Sequence, residues 1–178
     1  MATFVEKIEQ SNDNPRDPRN REVVFAADSP FNGNLATPIN SSPLAKAFIN
    51  SLPAYRPGLT PLRRGLEVGI VHGYWLVGPF FKFNPFRFTD YGSLVALIST
   101  ISLILISTLA ISLYAGSNPP PPAATITTPN PPIALANAEG WNKYATGFLI
   151  GGVGGAIVAF AIVANIDVFG NFRNLFGL

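Results

Sequence analysis

Two long stretches of this chain contain no charged side chain, and both are long enough to form membrane-spanning helices. The first extends over 48 residues from Tyr91 to Ala138, and its most apolar part, 91–114, corresponds to roughly 36 Å of helix. The second extends over 23 residues from Tyr144 to Ile166, which is roughly 34 Å of helix. The hydrocarbon core of a bilayer is ~30 Å thick, so this pattern predicts a membrane protein.

A shorter and more polar candidate, 65–83, precedes these two stretches. Read alone, its pattern fits a re-entrant or surface helix as well as a span. Its aromatic richness and the paired Arg63 and Arg64 at its start favour a span that is anchored at the interface. We expect Pro79 to kink or end this helix, because proline removes a backbone donor and clashes with the preceding turn.

The pattern as a whole predicts an all-α membrane protein with three transmembrane helices and a long, mostly irregular N-terminal extension on the cytoplasmic or stromal side. The predicted segments are the extension 1–64, the helices 65–83, 91–114 and 141–166, the proline-rich connector 117–140, and a lumenal tail 167–178.

The extension contains eight of the seventeen prolines, which argues against long regular elements. Within it, Glu22–Ala27 has the composition of a short strand, and Leu44–Leu52 predicts a short interfacial helix. The connector carries seven prolines between Pro119 and Pro132. Such runs are extended and stiff, so we interpret the connector as a spacer in preference to a contact surface.

Small residues recur every fourth position in the third helix, at Gly147, Gly151, Gly155 and Ala159. This spacing places them on one ridge, which lets another helix or a flat ligand approach the backbone closely. Helix packing is the favoured interpretation. In lipid, the hydroxyl side chains of the second helix bond to the carbonyl of the preceding turn or to a neighbouring helix, and they are either merely tolerated or functional.

The distribution of Lys and Arg predicts the topology. Among the basic residues near the ends of the three predicted helices, within about twenty residues, five fall on the N-terminal side and three on the opposite side, which places the N-terminus in the cytoplasm or stroma and the C-terminus across the membrane. The five are Lys46, Arg56, Arg63, Arg64 and Lys143, and the three are Lys82, Arg87 and Arg173.

Composition excludes several functions. There are no cysteines, so disulfides, thiolate-held clusters and cysteine nucleophiles are absent. The net charge is only +2, and the basic residues do not form a stripe that would follow phosphates, so no nucleic-acid partner is expected. One histidine without clustered carboxylates gives no nucleophile and base, so the chain is not expected to be an enzyme. An ion pathway would need a polar track along several helices, which the second and third helices lack.

Two ionisable side chains in the first predicted helix are the candidate site residues. His72 is the single histidine. A neutral imidazole is a good axial ligand for the metal of a tetrapyrrole, and the alternative is an interhelical hydrogen bond. Glu67 lies five residues earlier, about 140° around the helix axis, so the two residues suit two separate macrocycles better than one ion. Alternatively, Glu67 pairs with Arg63 or Arg64 one turn back.

Glycines surround these two side chains, at Gly65, Gly69 and Gly73. They leave room beside the helix for a flat, bulky ligand or for a closely packed second helix.

The stretch LATPINSSPLAKAFINSLPAYRPGLTPLRRGLEVGIVHGYWLVGPFFKFNP, from Leu35 to Pro85, resembles subunit XI, the L subunit, of photosystem I. Its pattern RRGLEVG-x-x-HGY-x-L-x-GP is highly specific. The later WNKYATGFLIGGVGGAIVAF is similar to the last helix of the same family, and the resemblance covers nearly everything from Val23 onward. The long N-terminal extension resembles cyanobacterial members.

The resemblance implies a three-helix subunit of the thylakoid membrane at the edge of the photosystem I core, where it contacts the core and small membrane subunits. It implies bound chlorophyll a, β-carotene and lipid, with Glu67 and His72 at the positions that ligate chlorophyll magnesium. It also implies contact between copies of the subunit, which join monomers into trimers. The alternative function is a pigment-free membrane scaffold.

Two departures from the family bear on assembly. The resemblance implies a calcium ion between neighbouring copies, held within a Pro-Leu-Arg-Asp sequence. The corresponding run here is 85–88, and it ends in Phe88, which cannot ligate calcium, with Asp90 two residues further on. The proline run is also longer than in trimeric members. We therefore expect no calcium site and a dimer or tetramer of monomers, packed through phenylalanines at the membrane edge: Phe86, Phe88, Phe169, Phe172 and Phe176.

Overall fold

The structure is a computed structural model, and it describes residues 25–26 and 35–166. These residues belong to two compact units. The first, here called the amino-terminal unit, comprises 25–26, 35–57 and 122–132. The second, here called the helical unit, comprises 58–121 and 133–166.

The amino-terminal unit contains the short elements that its sequence suggested. Two-residue strands, β1 (Phe25–Ala26) and β2 (Leu35–Ala36), pair antiparallel. They are followed by a single helical turn, α1 (Pro38–Ser41), and by α2 (Pro43–Ser51). The helix predicted at 44–52 is thereby confirmed. Its start is set by the Ser42 hydroxyl, which accepts a hydrogen bond from a backbone N–H of the first turn.

Part of the proline-rich connector folds into this same unit. Asn50, near the end of α2, donates a hydrogen bond of 2.8 Å from Nδ2 to the carbonyl of Thr127. The hydroxyls of Thr125 and Thr128 lie 2.8 Å apart and close a turn in which Thr128 is buried. Residues 122–132 are therefore more than an extended linker, since they bond to α2 and close a hydrogen-bonded turn of their own. The preference for a spacer over a surface that contacts another chain stays a prediction.

The helical unit contains three long helices, as the sequence predicted. They are α3 (Pro61–Phe83), α4 (Gly92–Gly116) and α5 (Ala138–Ala164), with a short 3₁₀ turn at Ile133–Leu135 before α5. Among the described residues, α4 and α5 are long and apolar enough to cross a membrane, with mean hydropathies of 2.5 and 2.3, whereas α3 does not meet that test. A spanning role for α3 is therefore a proposal that must rest on its packing.

The helix α3 begins four residues earlier than its apolar pattern indicated and ends at the predicted residue, Phe83. Thr60 caps its first turn by accepting from the backbone N–H of Arg63, and Pro61 occupies the first helical position, where no N–H is needed. Pro79 lies inside the helix, which continues to Phe83. The expectation that Pro79 could end the helix is wrong.

The side chain of Asn84 explains how the last turn of α3 survives beyond the proline. Its Nδ2 lies 2.9 Å from the carbonyl of Phe80 and 3.2 Å from that of Phe81, and it also donates to the carbonyl of Gly92 at the start of α4. Carbonyls that a helix end leaves unpaired thus receive a donor, and the α3–α4 turn is tied to both helices.

Interlocking glycines hold α3 against α5. A side-chain carbon placed at any of the six positions would lie under 3.0 Å from backbone atoms of the other helix, so only glycine permits this approach. The six positions are Gly65, Gly69 and Gly73 on α3 and Gly147, Gly151 and Gly155 on α5. The small-residue ridge predicted for α5 is thereby confirmed as a packing surface. The room beside the α3 glycines is filled by a helix and not by a flat ligand.

The order of these contacts gives the helix directions. Gly65 faces Tyr144, and Gly73 faces Gly152, so α3 and α5 run in the same direction. The helix α4 packs on one side of this pair and runs the opposite way. Its Ile104 lies over Gly152, and its Ala96 belongs to a buried cluster with Val77, Ala156 and Ala159.

Four hydroxyls of α4 make hydrogen bonds within the helix. Those of Thr100, Ser102, Ser107 and Thr108 each donate to the carbonyl four residues earlier at 2.8 Å. They are satisfied without a neighbouring helix, which favours the interpretation that they are tolerated in lipid.

Candidate functional site

His72 lies at the middle of α3 with its side chain exposed. Its Nδ1 is 2.8 Å from the carbonyl oxygen of Val68, one turn earlier. A carbonyl oxygen can only accept, so Nδ1 carries the hydrogen and donates it, and Nε2 keeps its lone pair. Nε2 has no hydrogen-bond partner in the described part of the chain. The hydrogen bond of His72 is therefore made within its own helix, and the geometry leaves one nitrogen able to bind a metal.

The imidazole also contacts an aromatic ring of α5. The ring centroids of His72 and Phe148 are 5.5 Å apart, with planes inclined at 62°, which is an edge-to-face arrangement. Phe148 is only 5% exposed. This contact is not predictable from the sequence, because it depends on the register between two helices that are far apart in the chain.

Glu67 forms an ion pair with Arg63. The Nε of Arg63 lies 3.1 Å from Oε1 of Glu67, and the glutamate side chain is 24% exposed against 68% for the arginine. The pairing that we considered as an alternative for Glu67 is thus present. It does not test whether the carboxylate also ligates a pigment. The side chains of Glu67 and His72 have different contacts, as expected from their spacing.

The two arginines at the start of α3 have different environments. Arg63 is exposed, in keeping with an interfacial anchor. Arg64 is only 3% exposed, and its guanidinium donates to the carbonyl of Leu59 at 3.4 Å. The sequence alone does not show which of the two arginines is buried, because the side of α3 that α5 covers is known only from the packing.

The described His, Cys, Asp and Glu side chains offer at most single donors to a metal. No group of three or more His, Cys, Asp or Glu side chains comes together in the described ranges, so these residues do not form a protein-only metal centre. A macrocycle brings its own in-plane nitrogens and needs one further donor from the protein. His72 Nε2 fits that requirement.

An apolar groove runs between α3 and α5 on the side away from α4. It has a volume of about 360 Å³ and is lined almost entirely by hydrocarbon. Its walls include Leu66, Ile70 and Tyr74 from α3 and Ile150, Gly154 and Val158 from α5. A side chain at Gly154 would begin in open space, so no other described residue covers the groove at this position.

The turn between α3 and α4 carries exposed aromatic residues. Phe86 is 51% and Phe88 86% exposed. The guanidinium of Arg87 lies 4.5 Å above the ring of Phe88, a cation–π arrangement, and Asp90 is exposed beyond it. The C-terminal phenylalanines that we expected to act with them, Phe169, Phe172 and Phe176, lie outside the described residues.

Comparison with known proteins identifies relatives along almost the whole chain. Residues 22–168 match the family model described as photosystem I reaction centre subunit XI. The protein of that name from Mastigocladus laminosus is 54% identical over 98% of this chain and 99% of its own length. Those from Nostoc sp. PCC 7120 and Nostoc punctiforme are 56% and 53% identical, over 92% and 98% of this chain and 95% and 100% of their own lengths. The resemblance seen in the motif around His72 is thus confirmed. The chain belongs to the photosystem I reaction centre subunit XI family.

Proposed function

We propose that this photosystem I subunit is a pigment-binding structural protein that holds chlorophyll a through His72 at the edge of the photosystem core. The observation that carries the proposal is the hydrogen bond from Nδ1 of His72 to the Val68 carbonyl. It fixes the tautomer and leaves Nε2 directed away from its own helix backbone, as an axial ligand requires.

The protein acts here by positioning and not by turning over a substrate; the chain is a photosystem subunit and not an enzyme. Bound chlorophyll supplies light absorption and excitation transfer. The residues of the chain set the position of the pigment. The helix carries the imidazole, the Val68 carbonyl holds one of its nitrogens, and the apolar surroundings exclude water.

We assign Glu67 to a second chlorophyll, on another face of α3. Its partly buried carboxylate can donate an oxygen to magnesium. The neighbouring Arg63 balances its charge. This assignment is separate from that of His72, since each residue has its own face and its own partners.

We further propose that α3 crosses the membrane together with α4 and α5. Its glycines follow those of α5 from Gly65 to Gly73 in the same direction, which supports a position at the same depth. Three spans then give a cytoplasmic N-terminus and a lumenal C-terminus in the thylakoid membrane. The apolar groove suits a long hydrocarbon chain, and there we propose β-carotene or a bound lipid.

The proposed partners are the photosystem I core, its small membrane subunits and other copies of this chain. We propose that copies meet without calcium. Phe88 offers no oxygen to a calcium ion, and its ring is covered by the guanidinium of Arg87. Exposed Phe86 and Phe88 then contribute apolar area to a two-fold contact.

The substitution His72→Leu, made in the assembled photosystem, tests the central assignment. We expect it to lose one chlorophyll per monomer while the subunit remains in the complex. Val71→Leu, at the adjacent exposed position, is the control and should keep the full count. Quantitative pigment extraction measures both. An unchanged count in His72→Leu would favour the alternative function, a pigment-free scaffold.

A further inference from the structure

A series of ring contacts leads along α5 to His72. Trp141 and Tyr144 have ring centroids 5.6 Å apart, and Tyr144 stacks on Phe148 at 6.5 Å with planes inclined by only 15°. Phe148 in turn makes the 5.5 Å edge contact with His72. Each ring restricts the next, and the series ends at the imidazole.

The backbone of Phe148 is held as firmly as its ring. Its N lies against Gly65, and its Cα and carbonyl oxygen lie against Gly69, at positions that any side chain on those glycines would occupy. Phe148 therefore cannot move along or away from α3 without separating the two helices. Because Phe148 is also 5% exposed, its ring has little freedom.

The hydrogen bond to Val68 alone does not fix the plane of the imidazole. The torsion that turns a histidine ring about its Cβ–Cγ bond is broad, so one hydrogen bond leaves a range of orientations. A second contact, from a different direction, narrows that range. Phe148 supplies it from α5.

We propose that Phe148 is a positioning residue for His72, which fixes the plane of the imidazole and with it the orientation of the chlorophyll that His72 ligates. This inference rests on the proposed function. It adds that the pigment geometry is set jointly by α3 and α5, through the glycines that bring Phe148 to the imidazole. Loss of the ring should change the environment of that one pigment and leave the others unchanged.

The experiment uses assembled photosystem I with four variants: His72→Leu, Phe148→Leu, Phe148→Met and the control Phe160→Leu. Phe160 is on the same helix, twelve residues or roughly 18 Å further along. The difference between the low-temperature absorption spectra of wild type and His72→Leu identifies the absorption band of the pigment at His72. We expect Phe148→Leu and Phe148→Met to shift that band with no change in chlorophyll count, and Phe160→Leu to leave it in place.

The outcomes separate the two proposals. If His72→Leu removes a band and both Phe148 variants leave that band unmoved, the positioning role is wrong while the pigment assignment stands. If His72→Leu removes no chlorophyll, the assignment fails and the positioning role fails with it. Should both Phe148 variants lose the subunit, a density map of the wild-type complex decides. Rings near 5.5 Å apart support the proposal, and rings out of contact overturn it.

Discussion

At the scale of single residues, the candidate site consists of Nε2 of His72 and the contacts that hold the imidazole ring. The imidazole of His72 is neutral when Nδ1 donates to a carbonyl and Nε2 binds a metal, so no charge has to enter an apolar environment. Glu67 is different, because a carboxylate is costly to bury unless it is paired. Arg63 provides that pairing.

Substitutions at Glu67 and Arg63 separate the ion pair from pigment ligation. Glu67→Gln weakens the oxygen donor and removes the charge, so we expect the loss of one chlorophyll that is different from the one at His72. Arg63→Ala removes the ion pair but leaves the carboxylate, and an exposed pair of this spacing contributes only about 0.3–0.5 kcal/mol. It should keep all chlorophylls. Pigment extraction with absorption spectroscopy measures both, and equal pigment loss in the two variants would contradict a ligand role for Glu67.

At the scale of helices, the pattern of apolar positions predicts most of the helical unit. The charge-free runs become α4 and α5, and the four-residue ridge of small residues becomes the surface against α3. These features can be predicted because they depend only on nearby residues: a helix places residues four apart on one face.

Other features could not be read from the sequence, because they join distant segments. The Asn84 side chain that ties α3 to α4, the bond from Asn50 to Thr127, and the contact between Phe148 and His72 all depend on tertiary packing. For the site, the sequence identifies the ligand candidates. It does not identify Phe148, whose ring contacts that of His72.

Glycine substitutions test the α3–α5 contact directly. In Gly151→Ala the added carbon meets the backbone of Leu66, and such overpacking typically costs about 1–3 kcal/mol. We expect the subunit to leave the complex at a lower temperature. Gly116→Ala, at the end of α4 and outside the proposed lipid groove, meets nothing within 4 Å and should be neutral or stabilise the helix by up to about 1 kcal/mol. Thermal release of the subunit, followed by gel analysis, compares the two. Equal release temperatures would mean that the helices do not approach as described.

The connector is tested through Asn50. Asn50→Ala removes the donor to the Thr127 carbonyl, and a hydrogen bond of this kind contributes about 0.5–1.5 kcal/mol. Amides around Thr127 should then exchange roughly 2- to 10-fold faster with deuterium. Ser51→Ala is the control, because its hydroxyl bonds only to the carbonyl of Phe48 within α2. An unchanged exchange rate in Asn50→Ala would show that this hydrogen bond does not hold the connector against α2.

At the scale of the whole molecule, the sequence departs from the resemblance at residues 85–88, where the resemblance implies a contact between copies. An aromatic ring, that of Phe88, stands where the resemblance implies a carboxylate, and the guanidinium of Arg87 lies over this ring. We expect photosystem I particles that contain this subunit to be dimers or tetramers and to keep that state in the presence of a calcium chelator. Native mass measurement and particle imaging in detergent test this. Three-fold particles with a metal beside Phe88 would contradict it.

The central claim, that His72 carries a chlorophyll, is tested most directly by a density map of the assembled photosystem at a resolution that shows the chlorophyll ring. The account predicts a planar macrocycle beside α3, with its magnesium bonded to Nε2 of His72 and with Nδ1 still bonded to the Val68 carbonyl. A map in which Nε2 of His72 faces only lipid or protein, with no macrocycle in reach, would contradict it.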